Sequence, residues 1–191
     1  MVMSSSPLAV LRSPEVHDQG RDWREIYDHE FDKCYRLVLR SGVGSAVAEE
    51  LVQKAFLVAL RRAGEIGQID NVGAWLRRIT LNVVAEHYRW RRVRRLKAWM
   101  LETVAGAAPT ATAIPEEQLA RAEIEHRVTA VLGSMSSKLR DVLVLIEMEG
   151  LKPQEAAKVL GCPVNTVRSR RRLAVLDFER RWRSLDQRGS S

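Results

Sequence analysis

Cysteine is nearly absent: the 191-residue chain has two, Cys34 and Cys162, in no C-x-x-C or Cys/His spacing. That excludes a disulfide-stapled scaffold and the common zinc modules. Free Cys is among the most buried residue types, so both are expected as small apolar core residues. The four histidines, His17, His29, His87 and His126, are scattered, and no metal site is expected. No uncharged apolar run reaches the ~18 residues of a membrane-spanning helix. The opening MVMSSSPLAVLRSPEV holds too short an apolar stretch for a signal peptide, which points to the cytoplasm. Also missing are G-x-x-x-x-G-K-[ST], G-x-G-x-x-G, H-E-x-x-H and G-x-S-x-G, the patterns of phosphate loops, dinucleotide folds, zinc hydrolases and nucleophile elbows. Neither catalysis nor a cofactor is expected.

What the chain has in excess is positive charge, 31 Lys+Arg against 24 Asp+Glu for a net +7, within an otherwise ordinary composition of 46% hydrophobic and 29% charged residues. The charge is unevenly placed. Residues 1–20 are net −1, 21–97 carry 16 basic against 10 acidic residues, 98–117 are net −3, and 118–191 carry 14 against 9. Two basic blocks are thus held apart by a short acidic stretch containing TVAGAAPTATAIP, whose Ala, Thr and Pro read as a linker. The expected organisation is a flexible tail over 1–20, a module over 21–97, a linker over 98–117, a second module over 118–185 and a short tail over 186–191.

Periodicity reads as all-α in both modules. Tyr27, Phe31, Cys34 and Val38 fall on one face of a helix from Trp23. Leu51, Ala55 and Val58, with Val52, Phe56 and Ala59 on an adjoining strip, describe a helix over about 46–63. Val72, Leu76, Ile79 and Val83, with Trp75 beside them, describe a third to about Arg95. In the second module, Leu119, Ala122, Ile124, Val128 and Val131 mark a helix over about 116–132. Leu139, Val142, Leu143 and Ile146 mark one over about 136–149, closed by Gly150. Two more follow, Pro153–Leu160 and Asn165–Trp182, with Asn165 or Thr166 suited to the N-cap.

The last pair, KPQEAAKVLGCPVNTVRSRRRLAVLDFERRW, has helix-turn-helix spacing over about 153–177: Ala157 and Gly161 permit a sharp turn, and Leu160, Val164 and Val167 close a small core. Such a motif lays its second helix in the DNA major groove, which makes Asn165, Thr166, Arg168, Ser169, Arg170, Arg171 and Arg172 the candidate contacts. A second basic stretch, AWLRRITLNVVAEHYRWRRVRRLK, crowds Arg77, Arg78, Arg89, Arg91, Arg92, Arg94, Arg95 and Lys97 onto one helix, opposed only by Glu86. Phosphates would neutralise that density, and Trp75, His87, Tyr88 and Trp90 offer surfaces on which unpaired bases stack. Glu49 and Gln53 share the exposed side of the second helix. Glu50 with Lys54, and Glu147 and Glu149, read as solvated helix charges.

In series, AEELVQKAF, AWLRRITLNVVAEHYRWRRVRR, a linker and EAAKVLGCPVNTVRSR resemble the extracytoplasmic-function sigma factors of bacterial RNA polymerase, over about residues 22–185. The resemblance implies two small helical domains on a flexible linker, binding core polymerase and directing promoter recognition and transcription initiation. It implies docking on core polymerase through Glu49, Glu50, Leu51 and Gln53. The loop over 65–72 and the helix after it would capture a flipped base of the minus-10 element, with Asn82 in the family's Asn position and Arg77, Arg78, Arg89, Arg91 and Arg92 gripping the strand. The minus-35 duplex would be read by the last helix. An anti-sigma partner is implied, and no small-molecule substrate. Lys54, Glu86 and Asn165 stand where the family usually has Glu, Asp and Gly. A conventional helix-turn-helix regulator, binding duplex DNA without polymerase, is the alternative; it leaves the aromatic, Arg-rich helix unexplained.

Overall fold

The computed structural model describes residues 22–62, 64, 69–101 and 116–189. The expected tail over 1–20, residues 65–68 of the expected loop, and 102–115 of the expected linker lie outside them. So do 190 and 191 of the expected C-terminal tail. Every regular element among the described residues is helical: α1 (Trp23–Arg40), α2 (Ser45–Arg61), α3 (Val72–Leu101), α4 (Glu116–Ser134), α5 (Ser137–Leu143), a π-helical turn (Val144–Met148), α6 (Pro153–Leu160) and α7 (Val164–Gly189).

Local chemistry sets the helix starts. Asp22 caps α1 by accepting the Arg24 amide at 2.8 Å, and Asn71 caps α3 by accepting the Ala74 amide, also at 2.8 Å. α6 opens with Pro153, and the Glu155 carboxylate returns to the Lys152 amide at 2.7 Å. α7 begins one residue earlier than its expected cap. The Pro163 carbonyl accepts the amides of Thr166 and Val167, so Asn165 lies inside the first turn. α3 and α7 also run past their expected ends, to Leu101 and Gly189.

The helices bury the faces their periodicity marks. Cys34, Val38, Leu51, Val52, Ala55, Phe56, Leu76, Ile79 and Val83 form the core of the first module, with Tyr27, Phe31, Val58 and Trp75 packed at its margin. In the second module, Val131, Leu132, Met135, Val142, Leu143, Val159 and Val167 are buried together. Ile124, one turn before the α4 stripe, is 52% exposed instead. Cys34 is buried as expected, whereas Cys162 is only half-buried at the α6–α7 turn.

The expected single helix over 136–149 changes gauge part way. The Glu149 amide bonds to the Val144 carbonyl at 2.9 Å, the spacing of a π turn. The wider turn carries Glu147 and Glu149 toward different neighbours: Glu147 meets α7, and Glu149 meets Arg40 of α1 at 2.5 Å.

The two modules pack directly on each other. Leu37 of α1 and Leu81 of α3 are 0% and 2% exposed within the second module's core, and each fully buried Leu contributes about 1.5–3 kcal/mol. Tyr88 stands at the joint. Its hydroxyl donates to the carbonyls of Ser41 and Gly42, at 3.0 and 2.7 Å, and the Arg140 guanidinium lies 4.3 Å from its ring centre. Gly133 of α4 abuts the ring edge so closely that a Cβ there would lie 2.9 Å from Cε1. Arg140 is 1% exposed, and its Nε stands 3.6 Å from Asp141 Oδ1, too far for a hydrogen bond.

Gly42 adopts φ +82°, and a Cβ there would lie 3.1 Å from both the Tyr88 hydroxyl and Leu132. Gly42→Ala is therefore expected to lower the unfolding free energy by roughly 1–3 kcal/mol. Gly44→Ala, whose Cβ meets nothing within 4 Å, should cost less than about 1 kcal/mol as an N-cap change; urea denaturation of both variants decides. A second expectation concerns pH. Burial pushes the Asp141 carboxyl up to about 7 despite the nearby Arg140, so the folded chain holds a proton that the unfolded chain has already released. The stability from this group is complete below about pH 4 and is lost as pH rises through about 7. Asp141→Asn should flatten that part of the melting-temperature profile, and an unchanged slope would refute the assignment.

Candidate nucleic-acid interface

Three surfaces hold the residues singled out in the sequence. On α7, Asn165, Arg168, Ser169, Arg171 and Arg172 are exposed, and Thr166 and Arg170 are half-buried. Helical spacing puts Asn165, Arg168, Ser169 and Arg172 on one face. The Asn165 side-chain Oδ1 accepts from Arg168 Nη1 at 3.3 Å, and the Ser169 hydroxyl donates to the Thr166 backbone carbonyl at 3.0 Å. Arg170 turns back toward Cys162, its Nη1 3.8 Å from Sγ. Arg171 is drawn sideways, its Nε donating to Glu147 Oε1 at 2.6 Å. The helix therefore presents two free-facing arginines and holds two others in protein contacts.

α3 divides its basic residues in the same way. Arg78, Asn82 and Arg89, at i, i+4 and i+11, share one exposed face. Arg78 rests on the helix-turn-helix itself: a Cβ at Gly161, the left-handed end of α6, would lie 2.5 Å from Arg78 Nη1. Arg77 is half-buried and its Nε is buried without a hydrogen-bond partner. Arg91 and Arg92 line a cleft of about 550 Å³ between α3 and α4, with Tyr88, His126, Thr129 and Ser134. The aromatics separate clearly. Trp90 is 61% exposed and free to stack, whereas Tyr88 is buried at the module joint, and Trp75 is half-buried with Arg62 5.9 Å from its ring.

The third surface is on α2. Glu49 and Glu50 are exposed and Gln53 is half-buried, its amide donating to Glu49 at 3.2 Å. Leu51 faces inward at 6% exposure, so it seats the helix against the core. Burial, and after it Arg91, lowers the pKa of the neighbouring His87, which Glu50 partly offsets.

Of the carboxylates read as solvated, Glu50 is exposed, whereas Glu147 and Glu149 are engaged. Lys54 pairs with Glu86 of α3 at 3.0 Å, not with Glu50 one turn away, while Glu147 and Glu149 pair with Arg171 and Arg40. Each partner lies 24 or more residues away, and a single-helix pattern carries no signal for such a pairing. No cluster of three or more metal-ligating side chains occurs among the described residues, and no helix among them is long and apolar enough to cross a membrane.

Comparison with known proteins adds a family. The family profile described as "Sigma-70, region 4" matches residues 125–177, which span the middle of α4 to the middle of α7. The RNA polymerase sigma factor CnrH of Cupriavidus metallidurans is 33% identical over 151 residues, covering 71% of this chain and 78% of the relative. The ECF RNA polymerase sigma-E factor of Escherichia coli is 30% identical over 134 residues, covering 67% and 70%. The chain spans 31% and 56% of the length of two other curated relatives. The fold is similar to that of the sigma factor RpoE solved with the anti-sigma factor NepR from Bartonella quintana, with a TM-score of 0.56 at 20% identity, covering 86% of this chain and 98% of that one.

The Glu147–Arg171 pair yields a direct expectation. Glu147→Gln releases Arg171 and removes a negative charge beside α7, so affinity for duplex DNA should rise and the slope of log K against log salt should steepen by about one unit. Anisotropy titrations at several salt concentrations measure both, and an unchanged slope would show that Arg171 stays out of reach of phosphate.

Proposed function

The chain belongs to the extracytoplasmic-function sigma factors of bacterial RNA polymerase, and from that premise we propose that it binds core polymerase, selects a two-part promoter and helps to open it, in the cytoplasm and without catalysing a step itself. The single observation that carries the reading is the pairing, in one chain, of an exposed recognition-helix face with a second basic helix that displays an unstacked aromatic. Asn165, Arg168, Ser169 and Arg172 lie along one side of α7, where Arg can pair bidentately with guanine and its neighbours can hold phosphate. Arg89, Arg91 and Arg92 are exposed around Trp90 on α3, a combination suited to a single strand whose bases stack while its backbone is neutralised.

The division of labour follows from this chemistry. α7 takes the minus-35 duplex. α3, with Asn82 and its arginines, takes the minus-10 strand, and extruding a base there costs a few kcal/mol that a fitted pocket and phosphate contacts must return. Glu49, Glu50 and Gln53 form an acidic docking face for core polymerase. Arg78 lies on Gly161 yet is exposed on the same face as Asn82 and Arg89, and joins them in holding the strand. An anti-sigma protein is a fitting partner, because a chain whose modules close on one another offers a compact form to capture; RpoE is solved with such a protein.

Two experiments test the reading. Permanganate reactivity of thymines near the start site should appear only when core polymerase and this protein are both present, and Glu50→Lys should abolish it. Tight, specific duplex binding by the protein alone, with melting indifferent to core, would hand the function to a conventional regulator. Within the promoter, Arg168→Ala should cost about 1–3 kcal/mol at one minus-35 position, whereas Arg91→Ala should weaken binding across sequences and reduce the salt slope by about one. Equal, sequence-blind losses would overturn the assignment.

A further inference from the structure

The docking face proposed for α2 contains an electrostatic contradiction. Glu49 and Glu50 are exposed there, and an acidic face fits a cationic partner. Lys54 lies one turn beyond Glu50, so it shares that face, and its side chain is 48% exposed. A free ammonium at this position would repel the partner that the two carboxylates attract. Its simplest neutraliser would be Glu50, at the i−4 position.

The structure has a different solution. Lys54 Nζ donates to Glu86 Oε2 of α3 at 3.0 Å, across 32 residues of sequence. Lys54 leads the influences that hold the Glu86 carboxyl below the ordinary range, with a lesser one from the Trp90 side chain. Glu50 is left to the docking face and to His87. We propose that Glu86 is a positioning residue for polymerase docking: it draws Lys54 against α3, so that Glu49, Glu50 and Gln53 meet a cationic surface without an opposing positive charge. The proposal rests on the reading of α2 as the docking helix. It makes α3 part of the docking apparatus through a residue that does not touch the partner.

A double-mutant cycle on the full-length protein tests it, with affinity for core polymerase measured by anisotropy of a labelled chain. Glu86→Gln leaves Lys54 free and should weaken binding about three- to tenfold, more at low salt than at high. Lys54→Gln should bind within about twofold of wild type or more tightly, and the double variant should match Lys54→Gln, because Glu86 then has nothing to restrain. Circular dichroism and minus-35 duplex binding should be the same for all four proteins. A Glu86→Gln loss of equal size in both backgrounds would overturn the proposal, since Glu86 would then act on the partner or on the helix itself, and so would the absence of any loss. Wild-type protein that fails to bind core would overturn the docking reading along with the proposal, whereas sound binding without coupling between Lys54 and Glu86 overturns the proposal alone.

Discussion

The phenol of Tyr88 is the contact on which the rest of the arrangement depends. It is 8% exposed, and a buried hydroxyl without a partner costs roughly 1–3 kcal/mol. The turn after α1 meets that requirement with two carbonyls, those of Ser41 and Gly42. This fixes α1 against α3, and the same ring then carries the Arg140 guanidinium from the other module. Without the ring, Arg140 would be a charge 99% removed from water with its Nε and Nη2 lacking a hydrogen-bond partner, a condition that proteins rarely tolerate. One side chain thus satisfies the interior of the first module and makes the burial of a charge from the second one bearable.

The basic surface follows a related logic. A chain with a net +7 repels itself when compact, and its carboxylates are placed against that repulsion. Glu147 holds Arg171, Glu149 holds Arg40, Asp177 holds Arg181 at 2.8 Å, and Glu86 holds Lys54. The exposed pairs are individually weak, on the order of 0–1 kcal/mol. Their larger effect is to decide which cations stay pinned to the protein and which, such as Arg168, Arg172 and Arg89, remain turned outward.

Much of this could be read from the sequence, and the boundary between what could and could not is physical. Apolar positions recurring at 3.6 residues mark the faces of α1, α2 and α3, because burial of such a stripe is what stabilises a short helix. The turn at Gly161 and the run of arginines after it mark the helix-turn-helix and its exposed face. Periodicity says nothing about which module covers which residue. Leu37 and Leu81, on helices of the first module, are buried in the core of the second, and Arg140 is buried despite its charge. The π turn is equally silent, since its extra residue changes hydrogen bonding without changing composition. Leu51 sits inside a motif associated with docking, yet its side chain faces the core because it falls on the apolar stripe of α2. Lys54 and Glu86, two departures from the family's pattern that look unrelated 32 residues apart, are in contact.

The sharing of Leu37 and Leu81 bears on how such chains can be recombined. A half taken from a relative brings its own surface at the joint, and a recipient half with a different relief would leave two leucines wet and the floor of the second core open. Matching halves must therefore be inherited or engineered together, with the joint as the unit of exchange: the outward faces of α3 and α7 can be transplanted while the surfaces on which the two halves meet are kept.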